Sequence, residues 1–254
     1  MPTEILTIPC REDNYAFAIH DGNRTAVVDA PEAAPIVAAL NDRGWGLDEV
    51  WITHHHFDHV DGLPGLRDAF PGLTVTGCGA DADRLPPLDR AVNDGDSFTF
   101  GADEVQVWDV SGHTINHVAF IMPAQKAAFT ADSLMALGCG RVFEGTMEQM
   151  WGSLKKFLEL PNDTTVYSGH EYTMTNGRFA LTIEPENTVL RERVLRIEAT
   201  RAENRPTVPS NLGDEKATNP FLRAHLDAVK QALSMEQSDD AAVFAEIRSR
   251  KDDF

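Results

Sequence analysis

The sequence predicts an α/β protein (α+β in some schemes), an αββα sandwich over residues 1–170 followed by a small α-helical domain over residues 171–254. Three observations carry this expectation. The first part of the chain alternates short β-rich runs with turns and helices, a second set of short strands follows, and the character turns helical after Glu171.

In chain order, Glu4 to Ile8, Tyr15 to Ile19 and Thr25 to Asp29 read as a meander of three strands, with Asp21-Gly22-Asn23 as a tight turn. Pro31 to Leu40 has helical composition, with its proline early enough to be tolerated. Asp48 to Thr53 returns as a buried strand that runs into a histidine cluster. Leu63 to Phe70 is the next helix and Leu73 to Thr76 the next strand, a βαβ rhythm. Phe98 to Phe100, Val105 to Val110, His117 to Met122 and Ala127 to Thr130 supply the second sheet. Glu148 to Leu160 places Met150, Trp151, Leu154, Phe157 and Leu158 on one helical face before Pro161 stops it, and Thr165 to Tyr167 is a last strand. Glu186 to Glu203, His225 to Leu233 and Ala241 to Arg250 read as the helices of the second domain. No internal repeat or low-complexity tract interrupts the pattern.

Composition narrows the class. With 42% hydrophobic and 24% charged residues, the 254-residue chain has the profile of a soluble globular protein. Its apolar runs fall far short of the ~20 residues that span a bilayer, and its first residues carry neither the basic start nor the apolar stretch of a secretory signal, so a cytoplasmic home is expected. Cys10, Cys78 and Cys139 form no C-x-x-C pair and read as buried free thiols of a reducing compartment. The net charge of −18 sets the surface field against nucleic acid and anionic lipid. An anionic small molecule can still bind where basic residues concentrate, and a monomer is expected.

The chemistry concentrates in Thr53-His54-His55-His56-Phe57-Asp58-His59, which contains H-x-H-x-D-H. With nine histidines in the chain, such a cluster arises by chance in roughly one chain in a thousand. His54 and His56, two residues apart at a strand's end, project to the same side and can share one metal ion. Asp58 and His59 lie beyond, on the turn, where they can serve a second ion or simply begin a helix. Three more ligand-type residues each follow a strand: His113 in a glycine-containing loop, Asp132 after Ala128 to Ala131, and His170 after Val166 to Gly169. Together they amount to two three-residue sets plus one carboxylate able to bridge two ions. Imidazole and carboxylate suit Zn²⁺, Fe or Mn²⁺ and do not select among them. His55 and His117 are available to support the ligands from behind.

With these residues the sequence resembles the metallo-β-lactamase superfamily, whose signature is this H-x-H-x-D-H followed by His, Asp and His. The resemblance implies His54, His56 and His113 on one ion, Asp58, His59 and His170 on the other, and Asp132 bridging both. Gly138 to Thr146, Gly169-His170-Glu171-Tyr172 with Asn176, Asn219 to Arg223 and Arg248-x-x-Lys251-Asp252 look further like the glyoxalase II family. That resemblance implies hydrolysis of S-D-lactoylglutathione and related thioesters, with Arg141, Phe143, Tyr172, Arg248 and Lys251 contacting glutathione. Two positions depart from the common pattern: Phe143 stands where tyrosine is frequent, and Ala131 where glycine usually precedes the bridging aspartate.

The expected reaction is attack on the thioester carbonyl by a hydroxide held between two divalent ions, with Asp58 and Asp132 as catalytic carboxylates. Because a thiol with a pKa of ~8.5 leaves readily, no dedicated general acid is required. The competing expectations are another enzyme on the same fold, a persulfide dioxygenase or a lactonase, and a non-catalytic protein that recognises glutathione conjugates.

Overall fold

The computed structural model describes residues 3–254. The chain forms two compact units, the first running to Asp109 and taking in Asn116–Thr130, the second made of Val110–Ile115 and Ala131–Phe254.

In the first unit, β1 (Glu4–Cys10), β2 (Asn14–His20) and β3 (Thr25–Val28) form the expected antiparallel meander, in register at Ile5 with Ile19 and at Phe17 with Val28. After α1 (Ala33–Arg43), β4 (Glu49–Trp51) adds in parallel to β3. The single-turn α2 (Phe57–Val60) and α3 (Leu63–Ala69) lead to β5 (Thr74–Cys78) and then β6 (Arg90–Val92), completing a six-stranded mixed sheet. A second layer in the same unit comes from β7 (Ser97–Phe100), β8 (Asp103–Asp109), β9 (Val118–Met122) and β10 (Ala127–Ala131), an antiparallel run.

Trp51 of β4 ties the layers together: its ring lies 5.2 Å from Phe98, 5.4 Å from Phe100 and 5.6 Å from Phe120, and it is fully buried. Aromatic groups of this size dominate the energetics of a core. The sheet strand around Trp51 is shorter than the sequence suggests. The strand stops at Trp51: Ile52 N–H still donates to Thr76 O of β5 at 2.8 Å, the last rung of the ladder, but Thr53 N–H turns to the Asp29 carboxylate at 2.9 Å. His54 and His56 therefore stand on a loop beyond the strand, and Asp58 and His59 on a one-turn helix rather than an open turn.

The second unit begins with a small hairpin, β11 (Leu134–Met135) and β12 (Gly138–Cys139), and continues with α4 (Met147–Phe157) and β13 (Thr165–Ser168). Its remaining elements are α5 (Thr173–Ile183), α6 (Thr188–Ala202), β14 (Ser210–Asn211), α7 (Leu212–Thr218), α8 (Asp227–Ala232) and α9 (Asp240–Asp252). The Thr146 hydroxyl caps α4 by accepting from Gln149 N–H, and Met150, Trp151, Leu154 and Phe157 form its buried face. Leu137, Ala180, Leu190, Val194 and Ile197 make a buried cluster. Sequence reading missed α5, whose Gly177 and threonines lower its helix propensity. The glycine is there because a Cβ would sit 3.0 Å from Val194 Cγ2, where α5 packs on α6.

The three cysteines are free and buried, as expected. Among the described residues, no helix is long and apolar enough to cross a membrane.

Candidate active site

The first unit contributes His54, His56, Asp58 and His59. The Nε2 of His54 and Nδ1 of His56 face each other at 3.1 Å, and His54 Nδ1 is 3.0 Å from the Thr53 hydroxyl. His59 is fully buried, with Nδ1 2.7 Å from Asp29 Oδ2 and Nε2 3.9 Å from Asp58 Oδ2. Asp29 also accepts from the Thr53 hydroxyl at 2.9 Å, so one buried carboxylate fixes both the start of the histidine loop and its last ring. The helix that carries Asp58 and His59 is pinned from behind, Ala30 N–H donating to His59 O and Gly62 N–H to Ala30 O, each at 2.8 Å. Any side chain at Gly62 would meet three backbone atoms at 2.8 Å. His117 stacks on His54 at 4.5 Å, while His55 turns instead to Asp81, 3.1 Å away.

The second unit contributes His113, Asp132 and His170, all buried. Asp132 Oδ2 lies 3.4 Å from His113 Nε2 and 3.3 Å from His170 Nε2, a single carboxylate oxygen between two imidazoles. The Arg141 carbonyl accepts from His113 Nδ1 at 2.7 Å, which sets that ring's orientation and directs Nε2 towards Asp132. Tyr172 stacks on His170 at 4.8 Å with the rings 6° from parallel.

Between Asp132 and Arg141 runs the hairpin of β11 and β12, in which every residue from 131 to 140 is buried. Three polar side chains hold its backbone. Asn176 Nδ2 donates to Ala136 O at 3.1 Å, Asn219 Nδ2 to Met135 O at 3.1 Å and Gly138 O at 2.9 Å, and Glu215 Oε2 accepts from Leu137 N–H at 2.8 Å. Glu215 is in turn paired with the buried Arg193. Gly140 ends the hairpin where a Cβ would lie 2.0 Å from Asp132 O and 2.8 Å from His113 Nδ1.

The cationic residues gather in this unit too. Asp252 Oδ1 accepts from Arg141 Nε and from an Arg248 terminal nitrogen, each at 3.0 Å. Arg248 is not the solvated cation that its place in a helix suggests. It is buried, donates to Cys139 O at 3.1 Å and lies 5.2 Å over the Phe221 ring. Lys251, between Phe179 and Phe254 at 5.4 and 4.9 Å, has its pKa lowered by partial burial and then by the Arg248 charge. Phe143 is largely exposed, with its ring 5.3 Å from that of His113. Sequence reading had passed over Asp29 and Asn14 and had Asp252 only as part of a family marker; of the first two, only Asp29, a carboxylate closing a buried strand, leaves a signal in the sequence.

The donor set passes a geometric test for a metal within the first unit. An ion bonded to two imidazole nitrogens at ~2.0–2.1 Å holds them about 3 Å apart, and His54 and His56 present theirs at 3.1 Å. In the second unit, one carboxylate oxygen between two ring nitrogens is the arrangement of a group that can serve two ions. The donors of each unit, all buried or half-buried imidazoles and carboxylates, suit divalent metal ions.

Two layers of sheet with this donor set at the strand ends define a metallo-β-lactamase fold, and the family model described as the metallo-beta-lactamase superfamily matches residues 11–170. Solved structures share the fold: ETHE1 from Myxococcus xanthus has a TM-score of 0.67 at 22% identity, covering 98% of this chain and 90% of that one. The BLEG-1 B3 metallo-beta-lactamase has a TM-score of 0.66 at 20% identity, covering 86% of this chain and 99% of that one. A second family model, described as the hydroxyacylglutathione hydrolase C-terminus, matches residues 171–254. Hydroxyacylglutathione hydrolases of Ruegeria pomeroyi and Roseobacter denitrificans are 60% and 58% identical over the full length of both chains, and that of Rhizobium meliloti is 49% identical over 96% of each. The chain belongs to the hydroxyacylglutathione hydrolase family of the metallo-β-lactamase superfamily.

Proposed function

We propose that the protein hydrolyses S-D-lactoylglutathione and related 2-hydroxyacyl-glutathione thioesters to glutathione and the free hydroxy acid, D-lactate in the first case, as the second step of methylglyoxal detoxification. The supporting observation is the joint presence, in one unit, of a carboxylate set between two imidazoles and a cluster of three cations, Arg141, Arg248 and Lys251. A glutathione thioester needs both: chemistry at its carbonyl and cations for its two carboxylates.

In this reading His54, His56 and His113 hold one ion, Asp58, His59 and His170 the other, and Asp132 both. Two divalent ions, Zn²⁺ foremost and Fe or Mn²⁺ also suited to these donors, would supply Lewis acidity and a water of lowered pKa. Asp58 and Asp132 orient the nucleophile. The exposed guanidinium of Arg141 and the ammonium of Lys251 take up the substrate carboxylates, and Phe143 and Tyr172 flank the tripeptide. Phe143, with no hydroxyl, contributes packing alone. Residues 1–170 act as the catalytic domain and 171–254 as the helical glutathione-binding domain of a cytoplasmic monomer.

A persulfide dioxygenase or a lactonase is disfavoured by relatives up to 60% identical that are hydroxyacylglutathione hydrolases. The deciding experiment assays purified protein against S-D-lactoylglutathione alongside elemental analysis. Two ions per chain with thioester turnover is the expected result, and one iron with oxygen consumption would overturn the reading.

A further inference from the structure

Asn14 opens β2 opposite Cys10 of β1 and is 4% exposed. Its side-chain nitrogen Nδ2 lies 3.1 Å from the backbone oxygen of Asp58 and 3.1 Å from Oδ2 of the same residue. A backbone carbonyl and a carboxylate can only accept, so the group facing them is the NH₂ end of the amide, which has two N–H bonds to give. One buried side chain thus grips both the main chain and the carboxylate of a residue 44 positions away.

The need for such a grip follows from where Asp58 stands. Its helix, α2, is a single turn, its side chain is about one-fifth exposed, and the buried Asn14 amide is one of the groups that hold its carboxylate. Aspartate and serine at position 14 would fail for different reasons: the first places a second anion against Asp58, and the second offers one donor where two are used. We propose that Asn14 is a positioning residue for Asp58, holding its carboxylate in the orientation that binds the ion shared with His59 and His170. This rests on the proposed role of Asp58 as a ligand.

The test titrates metal-free wild type, Asn14→Leu and Asn14→Ala with Zn²⁺ against a chromophoric chelator and records the visible spectra of the Co²⁺-loaded forms. Leucine keeps the branched shape of asparagine, with methyl groups in place of its amide oxygen and nitrogen. In both variants one metal equivalent is expected to weaken by about 10–100-fold, the usual effect of removing a group that orients a ligand. The other equivalent should keep its wild-type affinity, and the metal-free leucine variant should still melt cooperatively, at a temperature lowered by the loss of the two donated hydrogen bonds. Unaltered affinity for both equivalents, or a parallel loss of both, overturns the assignment. The readout is metal affinity, so a wild type that loads two ions but leaves thioesters intact refutes the proposed function alone. A wild type that loads fewer than two refutes both.

Discussion

His59 Nδ1 lies 2.7 Å from Asp29 Oδ2, with both side chains buried. The contact places the ring proton on Nδ1 and presents Nε2 as the ligand atom. Asp29 has φ +58, a conformation that asparagine also tolerates, so Asp29→Asn preserves the backbone and removes only the anionic acceptor. Metal affinity is expected to fall by about 10–100-fold, measured by chelator competition, with kcat/KM falling alongside. Retention of wild-type affinity would contradict the role given to Asp29.

Ala131, directly before Asp132, has φ +41. A Cβ in this left-handed region costs about 1 kcal/mol, which accounts for the glycine common at this position in the family. Ala131→Gly is therefore expected to raise the unfolding free energy by about 1 kcal/mol in urea titrations while leaving kcat unchanged. A destabilised variant would show that the alanine methyl contributes more through packing than it costs in backbone strain.

Arg248 has a double commitment, to Asp252 beside Arg141 and to the Cys139 carbonyl. Arg248→Ala should raise KM with little change in kcat, because Asp252 loses the partner that fixes it beside the substrate-facing Arg141. It should also lower stability by about 1–3 kcal/mol, because a buried carbonyl loses its charged donor. An unchanged KM in a folded variant would remove Arg248 from the substrate site.

Burial pushes the thiols of Cys10 and Cys139 up to about 12 and about 11. In the unfolded chain both ionise near 9, so between that pH and the native values the unfolded state releases protons that the folded state keeps. The stability contribution is complete below pH 9 and is lost as pH rises towards 11, by on the order of 1 kcal/mol per pH unit for each thiol. Urea midpoints measured from pH 8 to 10.5 should fall, and the Cys139→Ala variant should show a shallower decline. An identical slope in that variant would exclude the thiol as a cause.

Much of this molecule can be read from its residues, and the limits have physical reasons. The meander of the first three strands, the α4 face of Met150, Trp151, Leu154 and Phe157, and the seven imidazole and carboxylate donors all announce themselves through local periodicity or spacing. The short strands β6 and β14 and the helix α7 do not, because three, two and seven residues give no period to detect. Asn14 escapes for another reason: its partner Asp58 is 44 positions away, and one asparagine at the head of a strand looks like any turn residue. Asn176 and Asn219 were visible as family markers, but only the structure gives their purpose, which is to hold the hairpin backbone at Ala136, Met135 and Gly138.

That hairpin has a wider implication for how substrate range can change. Ten successive buried residues, 131–140, tied by fixed amides and a carboxylate, make the stretch from Asp132 to Arg141 a ruler that cannot stretch. New preferences would then arise by exchanging the side chains mounted at its far end, at positions 141 and 143, and scarcely ever by inserting or deleting residues along its length.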